Sequence, residues 1–587
     1  MTKQQEIVLS YKKLKDRIRS KEDEKKVLKH LMEIRAEYSE SYIKTLSRFL
    51  DSTLPRLYDG FNFNENGINL KEYAKDNAVV LVPNHQSHAD YVAIGYMVYK
   101  KYKMPLYVAG GNNLNIFPIG KMFRKSGCFF IRRSFQNDIL YKLTLEAYLY
   151  YLLSTGKPIE FFFEGGRSRT GRLLSPRFGL YQMLLEAYSQ LKEDGFEKEL
   201  IFLPVSVAHE NVPEQRSLVS ELKGAKKSKE STGQLFGLVK LFSYQFGNIH
   251  IQIGNGVKPD FSVVDQKRRL QNLAFECFRE VGKNMMVTPT SLLALVLLDE
   301  PTGALKWDDI LAKARGIRNF CQEFNIPFTQ SLDEQNFKES LERTIDILIG
   351  NKKVEVIGKG SQGHVFYTIK SDARAELLYF KNTILHHFIV AGIINSAWIR
   401  IFKGKISTVS DLKEFFVGQR DMLKHEFYLP TVKDMFQQAT EVISKSVNRQ
   451  VQTLEECLDM SHRDLYLIAK KISYFSRAFN FITESYYITS LSLKTVFELS
   501  PKGFKIEAII KTCREVFENE KALGKIRYPE AFSIPMIRSS AKHFVNLNQL
   551  ENVDGLYRIV DLEKFEKLIS VYEEQIKDSL SFNIQSV

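Results

Sequence analysis

His85 and Asp90 have four residues between them within Pro83-Asn84-His85-Gln86-Ser87-His88-Ala89-Asp90, just after a β-branched run and just before a helical pattern. Across such a strand-to-helix turn the carboxylate can fold back onto the imidazole Nδ1 proton, which leaves Nε2 as a base. Histidine, with an ordinary pKa of about 6.5, takes and returns a proton near neutrality. Taken alone, a structural histidine beside a helix-capping aspartate is the simpler reading. The neighbouring sequence argues against it. Glu164-Gly165-Gly166-Arg167-Ser168-Arg169-Thr170-Gly171-Arg172 combines glycines, which let backbone N–H groups approach an anion, with planar, permanently charged arginine forks. Arg132 and Arg133 follow another short apolar run. A basic surface patch is the dull alternative, but arginines directly after glycines at a strand end suit a phosphate better. A base beside a bound phosphate fits a phosphorylated alcohol whose hydroxyl is to lose its proton. His85, His88 and Asp90 could be imagined as metal ligands, yet they lack a partner cluster, and H-x-x-H in a loop is poor geometry, so no metal is expected. Ser87 lacks the G-x-S-x-G setting of an activated serine.

These residues need elements to hold them. Short runs at 78–82, 106–109, 128–131, 159–163, 201–207 and 249–254 read as strands, and 88–101, 116–125, 136–154, 178–194 and 266–285 as helices. Alternation of this kind predicts an α/β layer with a mainly parallel sheet flanked by helices. The His-Asp, Arg-Arg and Glu-Gly-Gly-Arg segments each follow a predicted strand, and in open α/β sheets the ligand crevice lies outside the strands' carboxyl ends. Helical periodicity over 1–70 gives an N-terminal helical region, 71–288 the α/β domain, and 289–587 a mainly α C-terminal domain with a hairpin near 352–369. The apolar stretches 287–298 and 382–399 are short or too polar for a confident bilayer span and read as core or interfacial helices.

The 587-residue composition is globular, and its formal charge of +14 favours anionic partners without choosing among them. No helix-turn-helix, zinc-finger or ribonucleoprotein signature supports nucleic acid. Cys128, Cys277, Cys321, Cys457 and Cys513 show no C-x-x-C spacing, so neither a disulfide framework nor a zinc site is expected. The first residues lack the apolar core of a secretory signal. Gly358–Val365 and His462–Leu465 mimic kinase loops, but position 469 is alanine where a metal-binding Asn belongs, and no D-F-G follows.

Together, NHQSHAD (84–90), GCFFIRR (127–133), FFFEGGRSRTGR (161–172) and LPVSV (203–207) resemble the four ordered motifs of glycerolipid acyltransferases. RLYDG (56–60), NNLNIFPIG (112–120), ELKGAKKSKES (221–231) and YFKNTILHHF (379–388) resemble the subgroup of bacterial membrane-associated glycerol-3-phosphate 1-O-acyltransferases and dihydroxyacetone-phosphate acyltransferases. Phe163 and Gly166 depart from the commoner F-P-E-G-T-R form in a way that suits this subgroup. The resemblance implies His85 as catalytic base and Asp90 as its orienting carboxylate. It implies Arg132 or Arg133, with Glu164, Gly165, Arg167, Ser168 and Arg169, as the glycerol-phosphate site. The implied reaction moves an acyl group from acyl-CoA or acyl carrier protein to the sn-1 hydroxyl of glycerol 3-phosphate, with no further cofactor. The implied setting is peripheral, on the cytoplasmic face of a phospholipid membrane. Basic N-terminal helices and the apolar segments 287–298 or 382–402 are the expected docking elements. Dihydroxyacetone phosphate as acceptor and a non-catalytic membrane scaffold are the competing readings.

Overall fold

The computed structural model describes residues 2–134, 138–222, 246–300, 303–358, 365–427 and 429–581. Most of ELKGAKKSKES, the glycine-rich 359–364 and the last residues from 582 lie outside them.

Seven strands make the main sheet among the described residues: β1 (Gly60–Asn64), β2 (Asn77–Pro83), β3 (Tyr107–Gly111), β4 (Cys128–Ile131), β5 (Ile159–Glu160), β6 (Glu199–His209) and β7 (Asn248–Ile253). Their spatial order is β1-β7-β6-β2-β5-β3-β4, and every pairing is parallel except β6 with β7. Burial follows from composition. The β2 run Ala78–Pro83 and the β6 run Leu200–His209 are buried throughout, as expected of central strands covered on both faces. Val79, Leu81, Leu203, Val205 and Ile251 pack with Ile94 and Val98 of the helix Ala89–Tyr102 on one face. The α/β expectation therefore holds. GFNFN was not foreseen as a strand, because its polar asparagines break the apolar run; it pairs along the edge with β7. IEFFF keeps only Ile159–Glu160 as strand, since the chain turns into the glycine segment.

Register sets the site. Pro83 at the end of β2 lies opposite Val205, so the last four residues of β6 run on beside the His-Asp turn. Asn84 fills that gap with its side chain. Its amide donates to the Val207 carbonyl (3.0 Å) and accepts from the Val207 N–H (2.7 Å), as a strand neighbour would.

The chain divides into two compact units. One takes the described residues up to Ser168, Leu173–Glu214 and 246–286; the other takes Arg169–Arg172, 215–222 and the described residues from Val287 on. The N-terminal helices group with the sheet. Tyr11 donates to buried Glu146 (2.5 Å), and Arg124 and Arg132 hold the helix Lys21–Ile34 through the carbonyls of Glu33 and Arg35 and the Glu33 carboxylate.

The second unit is mainly helical, with a small sheet that includes the hairpin Val354–Ile357 and Phe366–Ile369. Its most apolar helix, Pro289–Leu298, is buried at every residue. The stretch Arg374–Phe402 is long and apolar enough to cross a membrane by composition, but 72% of its apolar window is buried. These segments form the unit's core, which corrects the expectation that they dock on lipid. Within this unit Arg172 pairs with Glu426, both buried, and Asn382 donates to the Thr170 carbonyl (2.8 Å). Gly171 has φ +82° and lies so close to the Tyr379 carbonyl that a Cβ would collide with it.

Candidate active site

His85 projects from the turn after β2. Its Nδ1 lies 2.8 Å from Asp90 Oδ2, and its ring packs on Phe162 with centroids 4.2 Å apart. The side chain retains 13% exposure, so the ring is neither sealed in nor loose. Asp90, in the first turn of Ala89–Tyr102, is fully buried. Its Oδ2 also accepts the N–H groups of Gln86 (2.7 Å) and Ser87 (2.9 Å), which explains why five residues suffice to close the turn. Its Oδ1 receives His209 Nε2 at 2.6 Å, from the end of β6. Burial alone would raise this carboxyl, but the hydrogen bonds and charge of His209 and His85 outweigh it and hold Asp90 far below the ordinary carboxylate range. An ionised carboxylate only accepts, so the nitrogen of each ring that faces it carries the proton, and His85 Nε2 is left with the lone pair.

The glycine-arginine turn is bonded directly to this histidine: Ser168 N–H donates to the His85 carbonyl at 2.8 Å. Gly165 takes φ +66°, and a Cβ there would press on the Arg177 side chain at 3.0 Å. Arg167 lies 3.6 Å from Glu214. The same Glu214 accepts Ser87 Oγ (2.8 Å) and His88 N–H (2.9 Å), so one carboxylate ties the arginine to the histidine turn. Glu164 is buried, and burial pushes its carboxyl well above the usual range despite backbone hydrogen bonds. Burial thus disfavours its charged form. His88 is near Tyr91 and outside the dyad.

His85, Asp90, Glu164, Gly165, Arg167 and Ser168 thus share one corner of the α/β unit. Arg169 begins the four residues that group with the helical unit. Arg132 and Arg133 follow β4, three strands from β2, roughly 14 Å away at ~4.8 Å per strand. Arg132 forks onto Glu33 (2.8 and 2.6 Å), reaches Asp138 (3.2 Å) and stacks over Tyr141, which is a structural clamp on the N-terminal helix. Arg133 is exposed. Sequence reasoning missed His209 and Glu214, which lie 119 and 127 residues from the side chains they bond. A polar residue ending the strand beside β2 was the available signal for His209.

Two family models match the chain. A family model described as the glycerol-3-phosphate acyltransferase C-terminal region matches residues 219–553, and one described as acyltransferase matches 66–208. A glycerol-3-phosphate acyltransferase of Shewanella amazonensis is 29% identical over 68% of this chain and 50% of its own length. One of Pseudoalteromonas translucida is 26% identical over 86% of this chain and 62% of its own. The chain therefore spans about half to three-fifths of the length of these curated relatives. Among solved structures, a 1-acyl-sn-glycerophosphate acyltransferase from Thermotoga maritima covers 45% of this chain and 83% of its own, at 15% identity and a TM-score of 0.22.

Proposed function

We propose, from the premise that this chain belongs to the glycerol-3-phosphate acyltransferase family, that it transfers a fatty acyl group from a thioester of CoA or acyl carrier protein to the sn-1 hydroxyl of glycerol 3-phosphate. The observation that supports the reading is the backbone hydrogen bond from Ser168 to His85, which joins the glycine-arginine turn to the turn that carries the His85–Asp90 pair. His85 Nε2 takes the hydroxyl proton as the oxygen attacks the thioester carbonyl, and the C–S bond breaks as the imidazolium returns that proton to the thiolate. Asp90 stabilises the imidazolium and fixes its tautomer. Arg167, the Gly165 backbone and Ser168 receive the acceptor's phosphate, with Arg167 exchanging Glu214 for a dianion. Glu164, its charged form disfavoured by burial, contacts an acceptor oxygen. Arg133 is the better second cation, because Arg132 is occupied by Glu33.

The test is thiol release from palmitoyl-CoA with glycerol 3-phosphate or dihydroxyacetone phosphate. Release dependent on glycerol 3-phosphate is expected. Greater kcat/KM with dihydroxyacetone phosphate transfers the assignment to that acceptor, and no release with either supports the scaffold.

Membrane association rests on a different surface from the one the sequence suggested. Ile116, Phe117 and Met122 are 42%, 81% and 44% exposed beyond the carboxyl end of β3. Residues 104–137 contain no Asp or Glu, and while Arg124 and Arg132 are engaged by the N-terminal helix, Lys121, Lys125 and Arg133 add positive charge. Exposed apolar side chains in an acid-free basic segment fit insertion into an anionic bilayer. The segment adjoins the site, since Phe123 packs on Tyr91. Ile116→Ser with Phe117→Ser should abolish sedimentation with phosphatidylglycerol vesicles at low salt; undiminished sedimentation removes this surface.

A further inference from the structure

We propose that His209 is a positioning residue of the dyad: by holding Asp90 through Oδ1 it fixes Oδ2 on His85 and weakens the pull of that carboxylate on the catalytic ring. The inference rests on the reading of His85 as general base. Asp90 is gripped from both sides, with His209 Nε2 at 2.6 Å on one oxygen and His85 Nδ1 at 2.8 Å on the other. The His209 side chain is wholly buried, and among the described residues its Nδ1 has no hydrogen-bond partner and its Nε2 meets Asp90. His209 sits at the end of an 11-residue strand, where the backbone is paired with β7. It anchors Oδ1, while the N–H groups of Gln86 and Ser87 anchor Oδ2, so both oxygens of Asp90 are held.

The chemistry follows from competition. A carboxylate that accepts one strong N–H offers less charge to the next, so Asp90 grips the His85 imidazolium less tightly than an aspartate with a single imidazole would. His85 then returns its proton to a departing thiolate more readily, which suits a reaction in which the same ring must first take a proton and then give it away. Other ionisable groups coupled to Asp90 are Glu160 and Glu164 around β5, Tyr58 before β1, and Tyr91 one residue on. Glu210, beside His209, is taken up by His250 and Asn248. None of these is the substituted side chain, and His209→Gln, which keeps the donor, separates the hydrogen bond from their indirect response.

The experiment compares wild type with His209→Leu, which removes the donor, and His209→Gln, which keeps an N–H able to reach Asp90. Two readouts are taken on the full chain: thiol release, and the pH dependence of carbethoxylation of His85 by diethyl pyrocarbonate, followed by mass spectrometry of its peptide without any substrate. In His209→Leu the carbethoxylation midpoint should rise by about one pH unit, the worth of one hydrogen bond to a charged group. Its kcat should fall about 10²-fold, as for a misplaced catalytic group, with the KM for glycerol 3-phosphate unchanged. His209→Gln should restore the midpoint and most of kcat. A wild-type midpoint and turnover in His209→Leu overturn the proposal, as does a shifted midpoint in His209→Gln. If the leucine variant does not fold, His209→Asn, whose shorter amide stops short of Asp90, is read in its place. A wild-type chain that releases no thiol while His209→Leu shifts the midpoint removes the acyltransferase reading and leaves the positioning role standing.

Discussion

Asp90 in the α/β unit and Glu484 in the helical unit begin from the same circumstances. Each carboxylate is buried and accepts two backbone N–H groups, those of Gln86 and Ser87 for Asp90 and those of Arg527 and Tyr528 for Glu484. They end at opposite extremes. Asp90 is held far below the ordinary range because two imidazoles share it, whereas burial pushes Glu484 up to about 8, with nearby Glu530 adding to the rise. Two peptide donors do not offset the loss of water, and the two imidazole partners decide. At Asp90 buried charge is kept as charge, which the proposed chemistry requires. At Glu484 it is kept as a neutral acid tying a helix to a loop.

The most direct way to break this contrast is His85→Ala. Loss of the base should lower kcat about 10²–10⁴-fold with the fold intact, measured by thiol release and checked by circular dichroism. Normal turnover would end the argument that Asp90 is charged for catalysis. Next in size is a charge that the helical unit does keep: Glu426→Ala strands Arg172 and should cost roughly 3–5 kcal/mol of stability, read from denaturant unfolding. A loss below 1 kcal/mol would mean that Arg172 finds water or another carboxylate. Arg167→Ala should raise the acceptor's KM about 10–100-fold at nearly constant kcat, the worth of hydrogen bonds to a charged group. A fall in kcat alone would instead make it a transition-state contact.

A further prediction concerns Glu484 and has a definite sign. In the unfolded chain a glutamate ionises near ~4.3, and in the fold near about 8. The stability from keeping it neutral is complete below the lower value and is lost as the pH rises toward the upper one, by about 1.4 kcal/mol per unit. Glu484→Gln should therefore narrow the gap in Tm between pH 5 and pH 8. Asp90 acts in reverse, contributing stability above about 3.9 that drains away in acid.

Much of the frame was legible because a parallel sheet announces itself through apolar runs, and because its carboxyl ends are where unusual residues collect. His85, Asp90 and the Glu164–Ser168 turn were found this way, and their proximity followed from strand order. What escaped depended on partners remote in sequence. Arg132 reads as a phosphate ligand until Glu33, on one of the N-terminal helices expected to face water or lipid, is seen to occupy it. The apolar runs at 287–298 and 382–402 read as interfacial because hydropathy does not distinguish lipid from a protein core. Conversely, the exposed apolar tip around Phe117 is too short for any hydropathy window to notice.

Asn84 carries a consequence for how this molecule ages. Its carboxamide stands in for a length of peptide backbone, presenting one donor and one acceptor to Val207. Deamidation would exchange the NH₂ for an oxygen and set two lone-pair-bearing atoms face to face beside the residue that performs the chemistry. A stored preparation should then lose turnover in step with a one-dalton mass gain on that peptide, while its melting curve changes far less.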